Sequence, residues 1–290
     1  MMKEVPLVSI ICVAMNHQAY VVQGLQSFIH QSYDNLEILF LDNASSDNTY
    51  ALACEVMQST DREVKIFNRE RSYNLPENFN YLIKKANGKY LSLISCDDWM
   101  EPDYITTMVA AYQKNPQVGL LYSNGWYFYE ETKTTELAET SSFKSGKIFN
   151  TIFEKGVLFP VGYLVKREVF ENIGLYNEKI PIEDYEFWLR VANKYEIGYS
   201  KTPLIYYRKH SKSMTGASGY KNIKYYLQIA EQYKENKLFD KVTRRFRQYN
   251  IYQHMIKGER KAAFCLLKKD FALERFYFSV FFKLMIKAKS

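Results

Sequence analysis

The chain has 290 residues, of which 47% are hydrophobic, 16% aromatic and 24% charged. This composition excludes a disordered chain and predicts one large or two modest globular domains with a sizeable core. The net charge of +7 is uneven, because residues 220–290 carry 17 Lys and Arg against 6 Asp and Glu, a net +11, which leaves the remainder at −4. The sequence therefore predicts a mildly acidic body with a strongly basic tail.

The cysteines and the apolar runs give an expectation for the compartment. The four cysteines are far apart and show no paired metal-site spacing, which predicts reduced thiols in a cytosolic protein. The first residues lead directly into a strand without a signal-peptide pattern. The uncharged apolar run 276–282 is far shorter than the roughly 20 residues of a membrane span. We expect a cytoplasmic protein that is soluble or lies peripherally on the inner face of the cell membrane.

The first ninety residues alternate between apolar strands and amphipathic helices. Strands are predicted over 5–14, 36–41 and 64–67, and a helix is predicted after each of them. The third helix, within 74–86, is expected to end with Gly88 as its C′ residue. Strand–helix alternation predicts an α/β protein with a doubly wound sheet, which binds ligands at the carboxyl ends of its strands.

Residues 89–103 are the expected centre of the chemistry. A short apolar strand, 90–94, runs into the adjacent acids Asp97 and Asp98, and Pro102 marks the start of the next helix. Two adjacent carboxylates at a strand end repel each other unless a cation neutralises them, so a hard divalent ion is the natural partner. The alternative is that Asp98 caps the following helix while Asp97 faces solvent.

The second half of the sequence mixes strands and helices less regularly. Strands are predicted at 118–123 and 163–166, with one or two more within 197–207. Helices are predicted up to Lys114, near 168–173 and after Asp184, and the polar stretch 130–147 is expected to form a mobile hairpin or loop. Residues 220–290 are helical by composition. We expect two domains, a catalytic one over 1–215 and a basic, aromatic helical extension over 216–290.

Five stretches, in the correct order over residues 5–215, resemble the family 2 glycosyltransferases of the GT-A fold. They are Val8-Ser9-Ile10-Ile11 with Asn16, Asp42-Asn43-Ala44-Ser45-Ser46-Asp47-Asn48-Thr49, Gly88-Lys89-Tyr90 leading to Asp97-Asp98, Ile182-Glu183-Asp184, and Tyr207-Arg208-Lys209-His210. The resemblance implies a Rossmann-like mixed sheet with flanking helices, followed here by a C-terminal helical extension. It also implies an inverting transferase that moves a sugar from a nucleotide-diphosphate donor, expected to be a UDP-sugar, to a glycan or lipid-linked glycan in cell-surface polysaccharide synthesis.

The resemblance also implies residues that hold the nucleotide. Asp42 would accept a hydrogen bond from the base, although it could instead cap the 44–47 amides. Asn16 and the backbone near Ala14 would line the base and ribose, although Asn16 could be a plain turn residue. Asn74 and Asn80 fall near a loop that abuts the nucleotide in the family.

A second group of residues would hold the diphosphate and a Mn²⁺ or Mg²⁺ ion. Asp97 would lie near the ribose and the metal, and Asp98 would bind the ion, but the sequence leaves open which of the two acids touches it. His210 would bind the same ion, and Arg208 would pair with phosphate. The chain has Ser95 where many family members have a third acid, so the expected site has few protein carboxylates.

The acceptor side of the resemblance centres on Asp184, the expected general base. A direct displacement needs one group to take the acceptor's hydroxyl proton opposite the leaving diphosphate. Glu183 would position the acceptor, and Trp99 would offer a stacking platform for a sugar ring. The structural alternative for Asp184 is the N-cap of the following helix.

The tail and two rival functions complete the expectations. Lys and Arg alternate with aromatics there, which suits an anionic membrane surface, although the tail could simply cap the catalytic domain. No nucleic-acid-binding module accompanies the charge. A nucleotidyltransferase would need a Gly-rich basic loop after the first strand, which residues 14–19 lack. A non-catalytic nucleotide-sugar scaffold is suggested by Ser95 and Met15, but the retained acids and His210 favour the enzyme.

Overall fold

The computed structural model of the protein describes residues 5–138, 144–156, 161–210 and 222–271. The chain divides into two compact units, Met1–Gly216 and Ala217–Ser290. In the first unit, helices flank a mixed sheet of nine strands. In the second, the described residues form three helices. The α/β class predicted from the sequence is therefore confirmed.

Four parallel strands form the doubly wound half of the sheet, in the order β3-β2-β1-β4. These strands are β1 (Val8–Ala14), β2 (Leu36–Asp42), β3 (Glu63–Asn68) and β4 (Tyr90–Ser95). Helices α1 (Val21–Ile29), α2 (Thr49–Gln58) and α3 (Leu75–Lys85) connect them. Every residue of β1 and β2 is buried, which explains why both strands are nearly continuous apolar runs.

The second half of the sheet changes strand direction. Its remaining strands are β5 (Trp99–Met100), β6 (Val118–Tyr129), β7 (Thr134–Leu137), β8 (Tyr163–Lys166) and β9 (Glu196–Lys209). The order continues from β4 as β8-β6-β9-β5, and β7 forms a hairpin with β6. The helices of this half are α4 (Tyr104–Lys114), α5 (Phe149–Lys155), α6 (Arg167–Ile173) and α7 (Glu183–Lys194).

Strand directions determine which chain segments meet. Strand β8 is antiparallel to both β4 and β6, so β6 runs in the same direction as β4. Strand β9 is parallel to β6. The carboxyl ends of β1, β2, β4 and β9 therefore point the same way, and we call this side of the sheet the carboxyl edge.

Two sequence predictions need correction, and one lies partly outside the described residues. Gly88 is not the C′ residue of α3, because the helix ends at Lys85 with an extended cap at Ala86. Gly88 is instead required by close packing, since a Cβ there would lie 2.5 Å from the Ser9 backbone nitrogen. Strand β6 continues to Tyr129, six residues beyond its predicted end. Of the predicted loop 130–147, residues 139–143 lie outside the described part.

The second unit contains α8 (Ile223–Glu231), α9 (Phe239–Ile256) and α10 (Arg260–Phe271). Helix α9 contacts both of the others, and the rings of Tyr226 and Phe246 pack with centroids 4.9 Å apart. No helix within the described residues has the length and apolarity needed to cross a membrane. The aromatics predicted to contact a membrane at 276–282 lie outside the described residues.

Candidate active site

Strands β1, β2 and β4 bring three predicted positions together at the carboxyl edge. Ala14 and Asp42 are paired residues at the ends of β1 and β2, and Val13 pairs with Ser95 of β4, two positions before Asp97. Asp42 is 1% exposed, and its Oδ2 accepts the Ser45 N–H over 2.8 Å, as the capping alternative predicted. Its Oδ1 is buried and makes no hydrogen bond within the described part of the chain. That oxygen therefore has an acceptor site to offer a ligand.

Asn16 braces the loop after β2. Its backbone is left-handed, with φ at +57°, a conformation that asparagine tolerates better than most residues. Its Oδ1 accepts the Ser46 N–H over 2.9 Å, and its own N–H donates to Ser45 Oγ over 2.9 Å. These bonds match the turn role that the sequence left open for Asn16.

Asn74 and Asn80 both hold the segment that precedes α7. Asn74 is the N-cap of α3 in a reciprocal capping box with Glu77, and its Nδ2 donates to the Glu178 carbonyl over 3.0 Å. Asn80 is buried and exchanges two 2.9 Å hydrogen bonds with the backbone of Tyr176. The side chains of Asn74 and Asn80, which were expected beside the nucleotide, thus make their hydrogen bonds within the protein.

Asn43, which the sequence did not single out, makes a similar pair of hydrogen bonds. Its Nδ2 donates to the carbonyl of Tyr73, and its Oδ1 accepts the backbone N–H of the same residue.

Asp97 lies beside His210, which directly follows β9. Asp97 Oδ2 is 3.3 Å from His210 Nε2, and Asp97 Oδ1 is buried without a hydrogen bond in the described residues. Burial alone would raise the pKa of Asp97, but the hydrogen bond with His210 and the nearby His17 outweigh it, so the pKa is lowered. Asp97 is therefore an ionised carboxylate with one unused oxygen.

Asp98 is placed differently from its neighbour. It is 3% exposed, and its Oδ1 accepts the backbone N–H of Arg208 over 2.8 Å. Burial and the charge of Asp97 raise its pKa well above the ordinary range. The sequence put Asp98 on the ion with His210 but left open which of the two acids touches it, and in the structure Asp97 is the acid that lies beside His210. The helix-capping alternative for Asp98 is wrong, since α4 begins at Tyr104 after Asp103.

Arg208 is an internal cross-link and not an exposed phosphate ligand. Its side chain is 4% exposed. Its Nε donates to the Asp97 carbonyl over 2.7 Å, Nη2 donates to Gln23 Oε1 over 2.6 Å, and Nη1 pairs with Glu130. Every guanidinium nitrogen therefore has a protein acceptor. Sequence reasoning missed Gln23 and Glu130 because neither position carries a local signal of this contact.

Trp99 is partly exposed and packs on residues of the protein. Its ring stacks on Tyr206, with centroids 4.6 Å apart and planes 7° apart. The Arg208 guanidinium carbon lies 4.6 Å from the Trp99 ring centroid. A sugar would therefore compete with these contacts for the faces of the indole.

A hydrogen bond from Tyr163 of β8 connects Asp184 of α7 to the sheet. Tyr163 lies opposite Leu93 of β4, and its O–H donates to Asp184 Oδ1 over 3.0 Å. Burial raises the pKa of Asp184 to about 6, although the Tyr163 hydrogen bond opposes the shift. Burial and the Asp184 charge raise the pKa of Glu183 to about 8. Asp184 is not the N-cap of α7, because that position is Ile182 and makes no side-chain cap.

A divalent ion would find two protein ligands here. In the described ranges no group of three or more His, Cys, Asp and Glu side chains is arranged to hold a metal. Asp97 and His210 still suit an ion that takes its other ligands from phosphate and water, because Mg²⁺ sites commonly use one or two carboxylates with substrate oxygens. The buried, unused Oδ1 of Asp97 is the observation that fits such an ion.

Comparisons with known proteins identify a family and a fold for this chain. Residues 9–174 match the family model described as "Glycosyl transferase family 2". An uncharacterized glycosyltransferase of Haemophilus influenzae is 26% identical over 250 residues, covering 78% of this chain and 76% of the relative. TarS of S. aureus, solved with UDP-GlcNAc, has a TM-score of 0.65 at 16% identity, covering 83% of this chain and 71% of that one.

The mannosyltransferase PcManGT from Pyrobaculum calidifontis, solved with GDP-Man and Mn²⁺, has a TM-score of 0.66 at 13% identity. That alignment covers 99% of this chain and 81% of PcManGT. The structural likeness establishes the GT-A fold predicted from the sequence. Because the family match spans more than half of its length, the chain belongs to glycosyl transferase family 2.

Proposed function

We propose that this protein is an inverting, metal-dependent glycosyltransferase that moves a hexosyl or N-acetylhexosaminyl group from a UDP-sugar to a glycan or lipid-linked glycan of the cell surface. The observation that carries the proposal is the set of carboxylates at the carboxyl edge. Asp42 has an unused buried oxygen, Asp97 lies beside His210, and Asp184 is bonded to the edge residue Tyr163. Family membership supplies the reaction class.

Asp42 and Ala14 would bind the nucleotide base. A carboxylate oxygen accepts hydrogen bonds only, so Asp42 Oδ1 suits the imide N–H of uracil. The backbone of Ala14 is its neighbour in the sheet, and the loop braced by Asn16 borders both. TarS has been solved with UDP and with UDP-GlcNAc, and PcManGT with GDP-Man, so both nucleotides belong in a test.

Asp97 and His210 would hold Mn²⁺ or Mg²⁺, while Asp98 would hold the turn through Arg208. When bound, such an ion neutralises negative charge on the departing diphosphate. Asp97 is suited to this role because its pKa is lowered and one of its oxygens is unused. PcManGT has been solved with Mn²⁺, which supports the choice of that ion for a first test.

Asp184 would take the proton from the acceptor hydroxyl. A base with a pKa near the working pH is efficient, and burial raises the pKa of Asp184 to about 6. Inversion requires the base on the side of the sugar opposite the diphosphate. Asp184 lies on α7, whereas Asp97 follows β4, so different elements of the fold would carry the base and the ion. Glu183, beside it in the first turn of α7, would orient the acceptor, and Trp99 would border it.

An acceptor carried on a lipid would place the enzyme at a membrane. Helix α9 exposes Tyr249, Tyr252 and Ile256, and the region 220–290 has a net charge of +11. Aromatic and aliphatic side chains among basic residues suit an anionic bilayer surface. We therefore assign an anionic membrane face as the partner of this helix.

Nucleotide binding by the full chain tests the proposed function. Unfolding temperatures are measured with UDP, GDP and UDP-GlcNAc, with and without Mn²⁺, for the wild type, Asp42→Ala, Asp97→Ala and the exposed control Asp34→Ala. A ligand at 100 times its dissociation constant adds about 2.7 kcal/mol of stability. We expect UDP with Mn²⁺ to stabilise the wild type and the control, and both site variants to lose most of that gain. Absence of stabilisation by every nucleotide would overturn the proposal.

A further inference from the structure

We propose that Tyr163 is a positioning residue for the carboxylate of Asp184, and that Tyr176 holds Tyr163 in place. The Tyr163 O–H donates to Asp184 Oδ1 over 3.0 Å, and the hydroxyl oxygens of Tyr163 and Tyr176 are 2.6 Å apart. The inference rests on the proposed role of Asp184 as general base, and it adds two residues that carry no motif in the sequence.

The protons of the two tyrosines can be assigned in one way when Asp184 is ionised. A carboxylate only accepts hydrogen bonds, so Tyr163 must donate its single proton to Asp184. The bond between the tyrosines then needs Tyr176 as donor and the Tyr163 oxygen as acceptor. Tyr176 therefore donates to Tyr163, and Tyr163 donates to the charged carboxylate of Asp184, so each hydroxyl proton is used in one hydrogen bond.

Tyr163 is held by the sheet. It is 3% exposed and pairs with Leu93 of β4 on one side and Tyr122 of β6 on the other. Its ring meets Trp188 of α7 edge to face, with centroids 6.2 Å apart. Since Trp188 and Asp184 are four residues apart on α7, the same tyrosine contacts neighbouring positions on one helix face.

Helices α3 and α7 both hold the segment that contains Tyr176. Asn80 of α3 bonds to both its backbone N–H and its carbonyl. Arg190 of α7, paired with Glu186, donates to the carbonyls of Ile173 and Leu175 just before it. The ring of Tyr176 also packs on Phe187, with centroids 4.7 Å apart. The hydroxyl that bonds to Tyr163 is therefore fixed by two helices.

This arrangement would set the plane of the Asp184 carboxylate. The terminal torsion of aspartate is broad, so an external hydrogen bond is what selects one orientation. With Oδ1 on Tyr163, Oδ2 is left for the acceptor hydroxyl. The ionisable groups around the carboxylate are Glu183 beside it on α7, Tyr163 of β8, and Tyr176. The charge of Arg190 acts on Tyr176 by lowering its pKa, against the larger effect of burial. Of these, Tyr163 is the hydrogen-bond donor to the charged form.

The test removes single hydroxyl groups and needs no substrate. Tyr163→Phe removes the donor to Asp184. Tyr112→Phe is the matched control, because that buried hydroxyl donates to the carbonyls of Gly119 and Leu164. The free energy of unfolding of the full chain is measured from pH 5 to pH 8. Without its donor the ionised Asp184 is less stable, so its acid constant in the folded Tyr163→Phe variant should fall about tenfold. The difference in free energy of unfolding between wild type and Tyr163→Phe, which we call the gap, should therefore widen from pH 5 to pH 8 by about 1.4 kcal/mol.

The gap for Tyr112→Phe should not change with pH. An equally constant gap for Tyr163→Phe would overturn the inference. If Tyr163→Phe does not fold, Tyr176→Phe takes its place, with a smaller widening expected, and a constant gap there is the contrary result.

Turnover separates this inference from the proposed function. Tyr163→Phe should shift the acidic limb of UDP release from UDP-GlcNAc with Mn²⁺ to higher pH by about one unit, with KM unchanged. Normal turnover by Asp184→Asn would reject Asp184 as the base, whereas the stability gap would still report whether Tyr163 bonds to its carboxylate.

Discussion

The backbone N–H of Arg208 donates a 2.8 Å hydrogen bond to Oδ1 of Asp98, a residue 110 positions earlier in the chain. The guanidinium of the same arginine donates to the carbonyl of Asp97. These two bonds fasten the turn after β4 to the end of β9, two residues before His210. The Asp97–His210 pair is therefore built by its neighbours, Asp98 and Arg208, and not by local sequence.

Replacing Arg208 with lysine should weaken this junction. Lysine keeps the charge but loses the planar fork that reaches the Asp97 carbonyl, Gln23 and Glu130 together. The Arg208 side chain is 4% exposed, and a lysine there would lose part of this buried hydrogen bonding, so we expect a loss of about 2 kcal/mol or more in the free energy of unfolding, measured by urea titration. Stabilisation by UDP with Mn²⁺ should fall as well. The exposed Arg71→Lys is the control, and equal stability of both variants would contradict this view of Arg208.

Asp184→Asn should separate donor binding from transfer. The amide has the shape of the carboxylate and its oxygen still accepts from Tyr163, but it cannot take a proton. We expect UDP release from UDP-GlcNAc with Mn²⁺ to fall by about 100-fold or more, while thermal stabilisation by UDP and Mn²⁺ stays at the wild-type level. Asp103→Asn, at an exposed position, serves as the control. Wild-type turnover by Asp184→Asn would show that another group is the base.

The raised pKa values of Asp184, to about 6, and of Glu183, to about 8, predict opposite trends for stability and activity. Between about pH 4 and pH 8 the folded chain holds more protons on this pair than the unfolded chain, so the free energy of unfolding should fall as pH rises through that window. Asp184→Asn should flatten the part of the fall near pH 6. UDP release should instead increase through pH 6, because the base acts when ionised. Stability from this pair that rises with pH would contradict both assignments.

The positions of the strand ends and of the acids that follow them were predictable from the sequence. A strand buried on both faces is a continuous apolar run in the sequence, and the polar residues that follow it must lie at the carboxyl edge of the sheet. The assignment of side chains within the site was not. Which acid faces His210 depends on the Arg208 contact, and Asn80 meets Tyr176 across 96 positions. Tyr163 looked like any strand tyrosine, since its partner is known only once β8 is placed antiparallel to β4.

Gly24 should be irreplaceable even though it lies inside α1. Alanine normally stabilises a helix interior by roughly 0.5–1 kcal/mol relative to glycine. A Cβ at Gly24, however, would lie 2.4 Å from the carbonyl oxygen of Cys96, next to Asp97. Gly24→Ala should therefore lower the free energy of unfolding by about 1–3 kcal/mol and weaken stabilisation by UDP with Mn²⁺. Gln26→Ala, exposed on the same helix, should be neutral or slightly stabilising, and the same result for Gly24→Ala would refute close packing of α1 on this turn.

Vesicle binding tests the membrane face assigned to α9. Tyr249, Tyr252 and Ile256 are 44%, 44% and 56% exposed, and their spacing of three and four residues places them on one stripe. The surrounding region carries a net +11, so vesicles containing phosphatidylglycerol should bind the full chain more tightly than pure phosphatidylcholine, and salt should weaken the difference. Replacing all three residues with serine should reduce cosedimentation with the anionic vesicles about tenfold or more, because the apolar contribution to insertion is lost while the charge remains.

The control for vesicle binding is Tyr50→Ser, which removes an exposed tyrosine from the first unit and should leave binding unchanged. Equal binding to both kinds of vesicle, or full binding by the triple variant, would rule out this stripe as the contact.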